Sequence, residues 1–539
     1  MTAQKYEAYH AKPCKASRLD TKSTSYQYDK LLDLIIVNWP VVRVVNAVMG
    51  KPSLPELEPS GTHLVYVALS FFLILYALFS ELIRNRLHLS EPPLATLAGV
   101  AFGPVAVDIL GPVKWRFQDN ITQEMARVIT GVQVFAVGLD LPSAYVKRHW
   151  RGLALLLGPN MICGWCVSAI IIKVVLELRW STAFIIAATL TPTDPVLSAS
   201  VLGEAKFSMR IPKRIRHILA AESGCNDGTA FPFLYAAVFF VTQPSASDWA
   251  YNFFLSVIFW QCLFGIVVGS SIGLLANRAL RFSENNGYTQ EATLFVFYFL
   301  LAIFSVGVGS SLGLDDFLVA FSSGTAFCWD GWFHGKTHKM KLPSIIDLLL
   351  NSTMFVYFGT IIPWTKYTEN LTPWRLVICT VLILLLRRFP SILACKRFLP
   401  ETKSWSEAIF AGHFGPMGVG AMFLAMEARG RLENGTSTPE PHPPSSGPHM
   451  EAIEHIWPVV SFIVLGSIMV HGFSAAAMSI WGHLTRHPKR RASVAGGETD
   501  GLTGMVHDDD GSAIDEEAFK SESSEEEDVG EGNGAIRVG

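Results

Sequence analysis

Apolar runs of about twenty residues, the length that crosses a hydrocarbon core, recur thirteen times along this chain. They fall at roughly 64–84, 92–111, 123–143, 152–176, 181–202, 215–241, 251–280, 291–311, 314–329, 344–363, 373–396, 405–427 and 455–482. The ninth is short and opens on Asp315-Asp316. Hydrophobic residues make up 50% of the 539 positions, charged residues 17%, and the mean hydropathy is +0.33. A soluble chain of this length would carry more charge and divide into domains. The expected fold class is therefore an all-α polytopic membrane protein of about 13 transmembrane helices.

Residues 1–62 read as a polar N-terminal leader with no cleaved signal peptide. Their one apolar patch, Leu31 to Met49, is broken by Pro40, Arg43 and Asn46, which suits an interfacial helix. Residues 63–484 carry the membrane domain. Residues 485–539 form a tail, first basic (Arg486 to Arg491, suited to anionic lipid) and then acidic and Ser/Gly-rich from Glu498. The acidic part is expected to be disordered, cytoplasmic and open to a cytoplasmic partner. Lys and Arg crowd into the odd-numbered gaps between runs and are sparse in the even-numbered ones. The N-terminus is therefore expected outside and the C-terminus inside. The sequons Asn120-Ile-Thr122, Asn370-Leu-Thr372 and Asn434-Gly-Thr436 all fall in gaps of external sign.

An odd number of spans permits two inverted six-helix repeats about a central seventh, so that span five corresponds to span twelve. Span five contains Thr191-Pro192-Thr193-Asp194-Pro195, and span twelve contains Gly412-His413-Phe414-Gly415-Pro416-Met417-Gly418-Val419-Gly420. Prolines lack the amide hydrogen, so Pro192 and Pro195 deprive the carbonyls of Ala188 and Thr191 of their helical partners. Such irregular backbone is tolerated in a membrane only inside protein or beside a water-filled cavity. Broken helices at Pro192, Pro195, Gly415 and Pro416, in corresponding positions of two repeats, point to the binding site of an inverted-repeat transporter. In span seven, Gly265, Gly269 and Gly273 form a ridge suited to close packing, within the subunit or between subunits. Gly269-Ser270-Ser271-Ile272-Gly273 also matches a hydrolase nucleophile elbow, but a membrane helix lacks the strand–turn–helix setting. Cys163 and Cys166 have metal-site spacing without a second ligand pair and read as packing.

Span six contains Glu222-Ser223-Gly224-Cys225-Asn226-Asp227. Ionisable residues at this depth mark ion or proton pathways. An alkali cation needs oxygen ligands and a counter-charge. Asp227 can supply the charge; Ser223, four residues earlier, shares its face; Thr193 and Asp194 add a hydroxyl, a second carboxylate and a carbonyl. A partly desolvated carboxylate holds either a proton or a metal ion, and competition for it is a complete mechanism of exchange. Transported Na⁺ is accordingly assigned to Asp227, Ser223 and Thr193. Glu222 faces another side of the helix and is expected to form a structural ion pair with Arg388; the alternative makes it the proton carrier. His413 could sense pH or sit packed and neutral.

These residues resemble a known family. TPTDP with ESGCNDG is similar to the sodium/proton exchangers of the NhaP and NHE type. The words GVQVFAVGLDLP (131–142), TDPVLSASV (193–201), ESGCNDGTAFPF (222–233), SGTAFCWDGWF (323–333), RRFP (387–390) and GHFGPMGVGA (412–421) resemble fungal plasma-membrane Na⁺(K⁺)/H⁺ antiporters. The resemblance spans about 64–484. It implies an NhaP/NHE-like fold with two inverted repeats, a homodimer, and a role in pH homeostasis and salt tolerance. It also implies an elevator-like exchange in which Asp227 carries ion and proton, while Thr193, Asp194, Ser223 and Asn226 line the site. The family's Glu–Arg pair falls on Glu222 and Arg388. The expected protein is thus a plasma-membrane antiporter exchanging Na⁺ and Li⁺, with K⁺ left open, for H⁺. It is expected to be no enzyme and to have neither a resident cofactor nor a nucleic-acid partner. The competing readings are a K⁺-preferring exchanger, a passive cation channel and a membrane sensor or scaffold acting through the acidic tail.

Overall fold

The computed structural model describes residues 61–111, 118–195, 197–198, 211–290, 293–333, 342–369, 371–441, 444 and 446–484. The expected interfacial helix, the tail and Asn370 lie outside the described residues. The chain is all-helical, with no strand among the described residues. In order, the helices are α1 (Gly61–Glu81), α2 (Glu91–Phe102), α3 (Gln118–Asp140), α4 (Trp150–Leu176), α5 (Trp180–Thr189) and α6 (Lys213–Thr242). There follow α7 (Ala246–Asn285), α8 (Thr293–Leu312), α9 (Asp316–Phe327), α10 (Leu342–Ile361) and α11 (Pro373–Leu386). The last four are α12 (Phe389–Cys395), α13 (Trp405–His413), α14 (Val419–Glu433) and α15 (Met450–Leu484).

Every expected apolar run meets a helix, but length separates them. The stretches His63–Arg84, Trp150–Leu176, Ala246–Asn285, Pro373–Phe398 and Met450–Ser474 are long and apolar enough to cross a bilayer. The second and ninth runs are shorter than expected, since α2 and α9 have 12 residues each. Gly103-Pro104 follows α2 directly, and a proline cannot continue the ladder. Asp315 starts α9 by accepting the amide hydrogens of Phe317 and Leu318 at 3.1 and 3.0 Å. The fifth and twelfth runs are interrupted, as their prolines and glycines predict.

Helix α6 sits at the centre and packs on α3, α5, α9 and α14. Every residue from Ala221 to Gly228 is buried, although six of the eight are polar or glycine. A helix enclosed on all sides keeps such residues away from lipid and makes them interior site residues. The glycine ridge of α7 resolves as an intrasubunit contact. A β-carbon at Gly269 would stand 2.9 Å from Val319 Cα, and one at Gly273 would stand 2.9 Å from the Phe327 amide nitrogen, both on α9. Asn277, one turn further along α7, donates to the Phe327 carbonyl at 2.6 Å.

Two expectations are corrected here. Cys163 is exposed on the outer face of α4 and Cys166 is half-buried, so the pair does not pack into the core. No group of three His, Cys, Asp or Glu side chains that could hold a metal occurs among the described residues. Segment 428–452 begins inside α14, and the described residues that follow the helix are tethered. Gln123 donates to the Ser437 carbonyl at 2.6 Å, and the Glu440 amide donates to Glu433 at 2.7 Å. The first sequon lies within α3, and the Thr122 hydroxyl is buried in a 2.8 Å contact with Tyr357. Asn434, in contrast, is in an exposed turn in which its side-chain oxygen accepts from Thr436.

Candidate ion-binding site

Two interrupted helices meet at the centre of the protein. Helix α5 ends at Thr189, and a helical turn reopens at Pro195; α13 ends at His413 and α14 opens at Val419. The breaks are joined directly, because the Asp194 amide donates to the Pro416 carbonyl at 2.8 Å.

Each break exposes a helix N-terminus with free amides and partial positive charge. Asp194 serves both. One carboxylate oxygen accepts the Leu197 amide at 2.9 Å, and the other accepts the Val419 amide at 2.6 Å. Each Asp194 oxygen thus accepts a backbone amide from one of the two broken helices. At the opposite ends, where carbonyls carry partial negative charge, stands Arg387. It is buried and donates to the carbonyls of Leu190, Pro192 and Gly415, the last at 2.8 Å. The Ala188 carbonyl, expected to lack a partner, is recovered locally by the Thr191 amide (3.1 Å) and hydroxyl (2.7 Å).

Arg388 points the other way. Its guanidinium makes a two-pronged ion pair with Glu222, with the Nη2–Oε2 distance 2.6 Å, and its Nε donates to the Ala411 carbonyl at 2.8 Å. Both side chains are buried. The pair ties α6 to the bend between α11 and α12 and spends the Glu222 charge on a partner. Between this pair and the break lies a cavity of about 20 Å³ lined by Asn160, Thr191, Thr193, Glu222, Arg387 and Arg388 among others. That is room for one water.

Asn226 clamps the first break from both sides. Its side-chain oxygen accepts the Thr193 amide at 3.1 Å, and its nitrogen donates to the Thr193 hydroxyl at 2.6 Å. Ser223 completes a hydroxyl cluster, 3.3 Å from Thr193 Oγ1 and 3.1 Å from Ser198 Oγ. Asp227 differs from all of these. It is 1% exposed, and neither carboxylate oxygen has a hydrogen-bond partner among the described residues. Glycine backbone lies against it: a β-carbon at Gly420 would run into Asp227, as one at Gly418 would run into Asp194. The glycines of span twelve thus admit two carboxylates to the start of α14.

His413, at the end of α13, lies 2.9 Å from the Ser474 hydroxyl, with its ring 5.1 Å from that of buried His471. Among the described residues it makes no hydrogen bond to the site carboxylates. Sequence reasoning missed Ser198 and the role of Arg387; the first arginine of the RRFP word was the available signal.

An all-helical polytopic chain in which two interrupted helices cross beside a buried carboxylate has the architecture of an ion-coupled membrane transporter. The chain belongs to the sodium/hydrogen exchanger, transmembrane family, whose model matches residues 69–481. It is 43% identical over 428 residues to a probable Na⁺/H⁺ antiporter of Schizosaccharomyces pombe, covering 78% of this chain and 56% of that protein. It is 38% identical over 444 residues to a Na⁺/H⁺ antiporter of Saccharomyces cerevisiae, covering 80% and 44%. A second Schizosaccharomyces pombe Na⁺/H⁺ antiporter is 34% identical over 434 residues, covering 80% and 92%. The chain therefore spans about half the length of the first two relatives and nearly all of the third. The fold is that of a sodium proton antiporter from Methanocaldococcus jannaschii solved at pH 8, with a TM-score of 0.57 at 17% identity over 79% of this chain and 97% of that one.

Proposed function

We propose that this multi-pass membrane protein exchanges Na⁺ or Li⁺ for H⁺ by alternating access, with cation and proton competing for Asp227. The observation that carries this reading is the buried carboxylate of Asp227, which has no hydrogen-bond partner among the described residues. A carboxylate in such a place cannot remain charged and alone, because the desolvation cost is not offset. It must hold a proton or a cation, and exchanging one for the other is antiport. Ser223 and Thr193 are placed to add oxygen ligands; Asn226 and Asp194 hold the broken backbone around the ion; Glu222 and Arg388 form a structural tie and carry no ion. The family and the names of the relatives support exchange rather than catalysis. The setting is the plasma membrane, with the N-terminus outside and the C-terminus cytoplasmic, in a homodimer embedded in lipid.

Proton efflux from acid-loaded proteoliposomes on adding Na⁺, Li⁺ or K⁺ tests this. The wild type should alkalinise in a cation-dependent manner, with the order of the cations giving the selectivity, and Asp227→Asn should not. Cation movement without proton movement would replace exchange with a passive channel.

A further inference from the structure

Two helices leave the site side by side. From Asp227, α6 continues through Phe231 to Tyr235; from Gly420, α14 continues through Phe423 to Glu427 and Arg431. Residues four apart lie on one face, about 6 Å further along the axis. The two helices therefore present matched layers, all on the side that the loop charges assign to the outside.

The first layer is aromatic. The rings of Phe231 and Phe423 lie 6.0 Å apart, and Phe317 of α9 meets Phe423 at 4.9 Å, edge to face, and Phe231 at 6.0 Å. All three are buried. The second layer is charged. Tyr235 donates to Glu427 at 2.9 Å, and Arg431 donates to Tyr235 at 2.7 Å and to Glu427 at 3.2 Å. Facing it on α3 and α9, Arg127 pairs with Asp316 and donates to the Ser310 hydroxyl at 2.9 Å. Among the described residues the ion pairs of this layer are made within each wall, α6 with α14 on one side and α3 with α9 on the other, while Arg127 and Glu427 attract each other across it without forming a pair.

What crosses between the walls is of a different kind. Arg127 lies over the Phe423 ring at 5.0 Å, Gln123 donates to Glu427 at 3.2 Å, and the aromatic rings interlock. One ion pair, Arg429 with Asp119 at 2.7 Å, closes the outer rim beneath the tethered loop. Parting the walls would leave Arg127 and Glu427 with their own counter-charges and would expose them to entering water. Charges buried at membrane depth are costly and mark pathways, and here they are arranged so that separation strands few of them.

We propose that the Phe231–Phe317–Phe423 cluster, with the Arg127–Phe423 and Gln123–Glu427 contacts above it, is the outer gate of the transport route, and that this structure is the outward-closed state. The inference rests on the exchange reading above. It is tested by placing a reporter cysteine at Ala230, one turn beyond Asp227, in the full-length chain. Labelling by a membrane-impermeant thiol reagent added outside is then followed in right-side-out vesicles, against the same chain without the reporter. With the gate intact the reporter should be protected. Phe423→Ala and, separately, Gln123→Ala should each speed labelling by about tenfold, a shift that loss of one such contact can make in a two-state equilibrium. Unchanged protection in both variants would overturn the proposal, as would rapid labelling of the intact chain. Faster labelling in a chain whose protons do not respond to Na⁺ would support the gate and overturn the exchange reading.

Discussion

Gly420 lies against Asp227 so closely that a β-carbon at position 420 would overlap a carboxylate oxygen. The start of α14 is therefore shaped around this side chain. Gly420→Ala should displace the carboxylate while leaving the surrounding helices in place. Cation-driven proton flux should fall by about a hundredfold, the scale of an ångström-sized misplacement in a reacting site. Thermal unfolding in detergent should change little by comparison. Full activity in Gly420→Ala would place the ion elsewhere.

Asn226 and Thr193 make a reciprocal pair that fixes the break in the fifth run. Asn226→Ala leaves the Thr193 amide unpaired in the interior, which costs about 1–3 kcal/mol. The expected result is a lower unfolding temperature together with a raised KM for Na⁺, measured on the same preparation. A change in stability with unaltered KM would separate the clamp from the ion.

Glu222 and Arg388 are tested by charge bookkeeping. Removing one partner, as in Glu222→Gln, leaves a buried charge and should destabilise by about 3–5 kcal/mol. Glu222→Gln combined with Arg388→Met removes both charges and should recover a large part of that loss, together with some flux. If Glu222 were the proton carrier, the double variant would fold and yet exchange nothing.

The site also predicts how pH enters. A proton on Asp227 excludes the cation, so acidifying the side from which Na⁺ binds should raise the apparent KM, by about tenfold per pH unit below the carboxyl's titration. The maximal rate at saturating Na⁺ should not move. A KM for Na⁺ that is flat while the maximal rate falls would point to a separate pH sensor, for which the adjacent rings of His413 and His471 would be substituted first.

The organisation of the site was legible in the sequence where a residue type has one use at membrane depth. TPTDP and GHFGPMGVG announced the two breaks because proline and glycine interrupt a helix wherever they stand. Glu222 and Arg388 could be matched because each buried charge demands a partner. Where several partners compete, sequence order is silent. Asp194 and Asp227 look equivalent on paper, and only the arrangement of the Leu197 and Val419 amides assigns one to the backbone and leaves the other unspent. The arginines 387 and 388 are likewise neighbours in sequence, yet they serve the broken helices and Glu222 respectively. The gate residues were hidden for a similar reason. Phe231, Phe317 and Phe423 read as ordinary apolar positions, and only the packing of α6, α9 and α14 brings them together.

The central claim is that one carboxylate holds either the cation or the proton. Adding Na⁺ to the purified, weakly buffered protein near neutral pH tests it directly, by the protons released on binding. The wild type should release protons in proportion to the cation bound, Asn226→Ala should do so with lower affinity, and Asp227→Asn should release none. Proton release that survives in Asp227→Asn, or Na⁺ binding by the wild type without any release, would contradict the account.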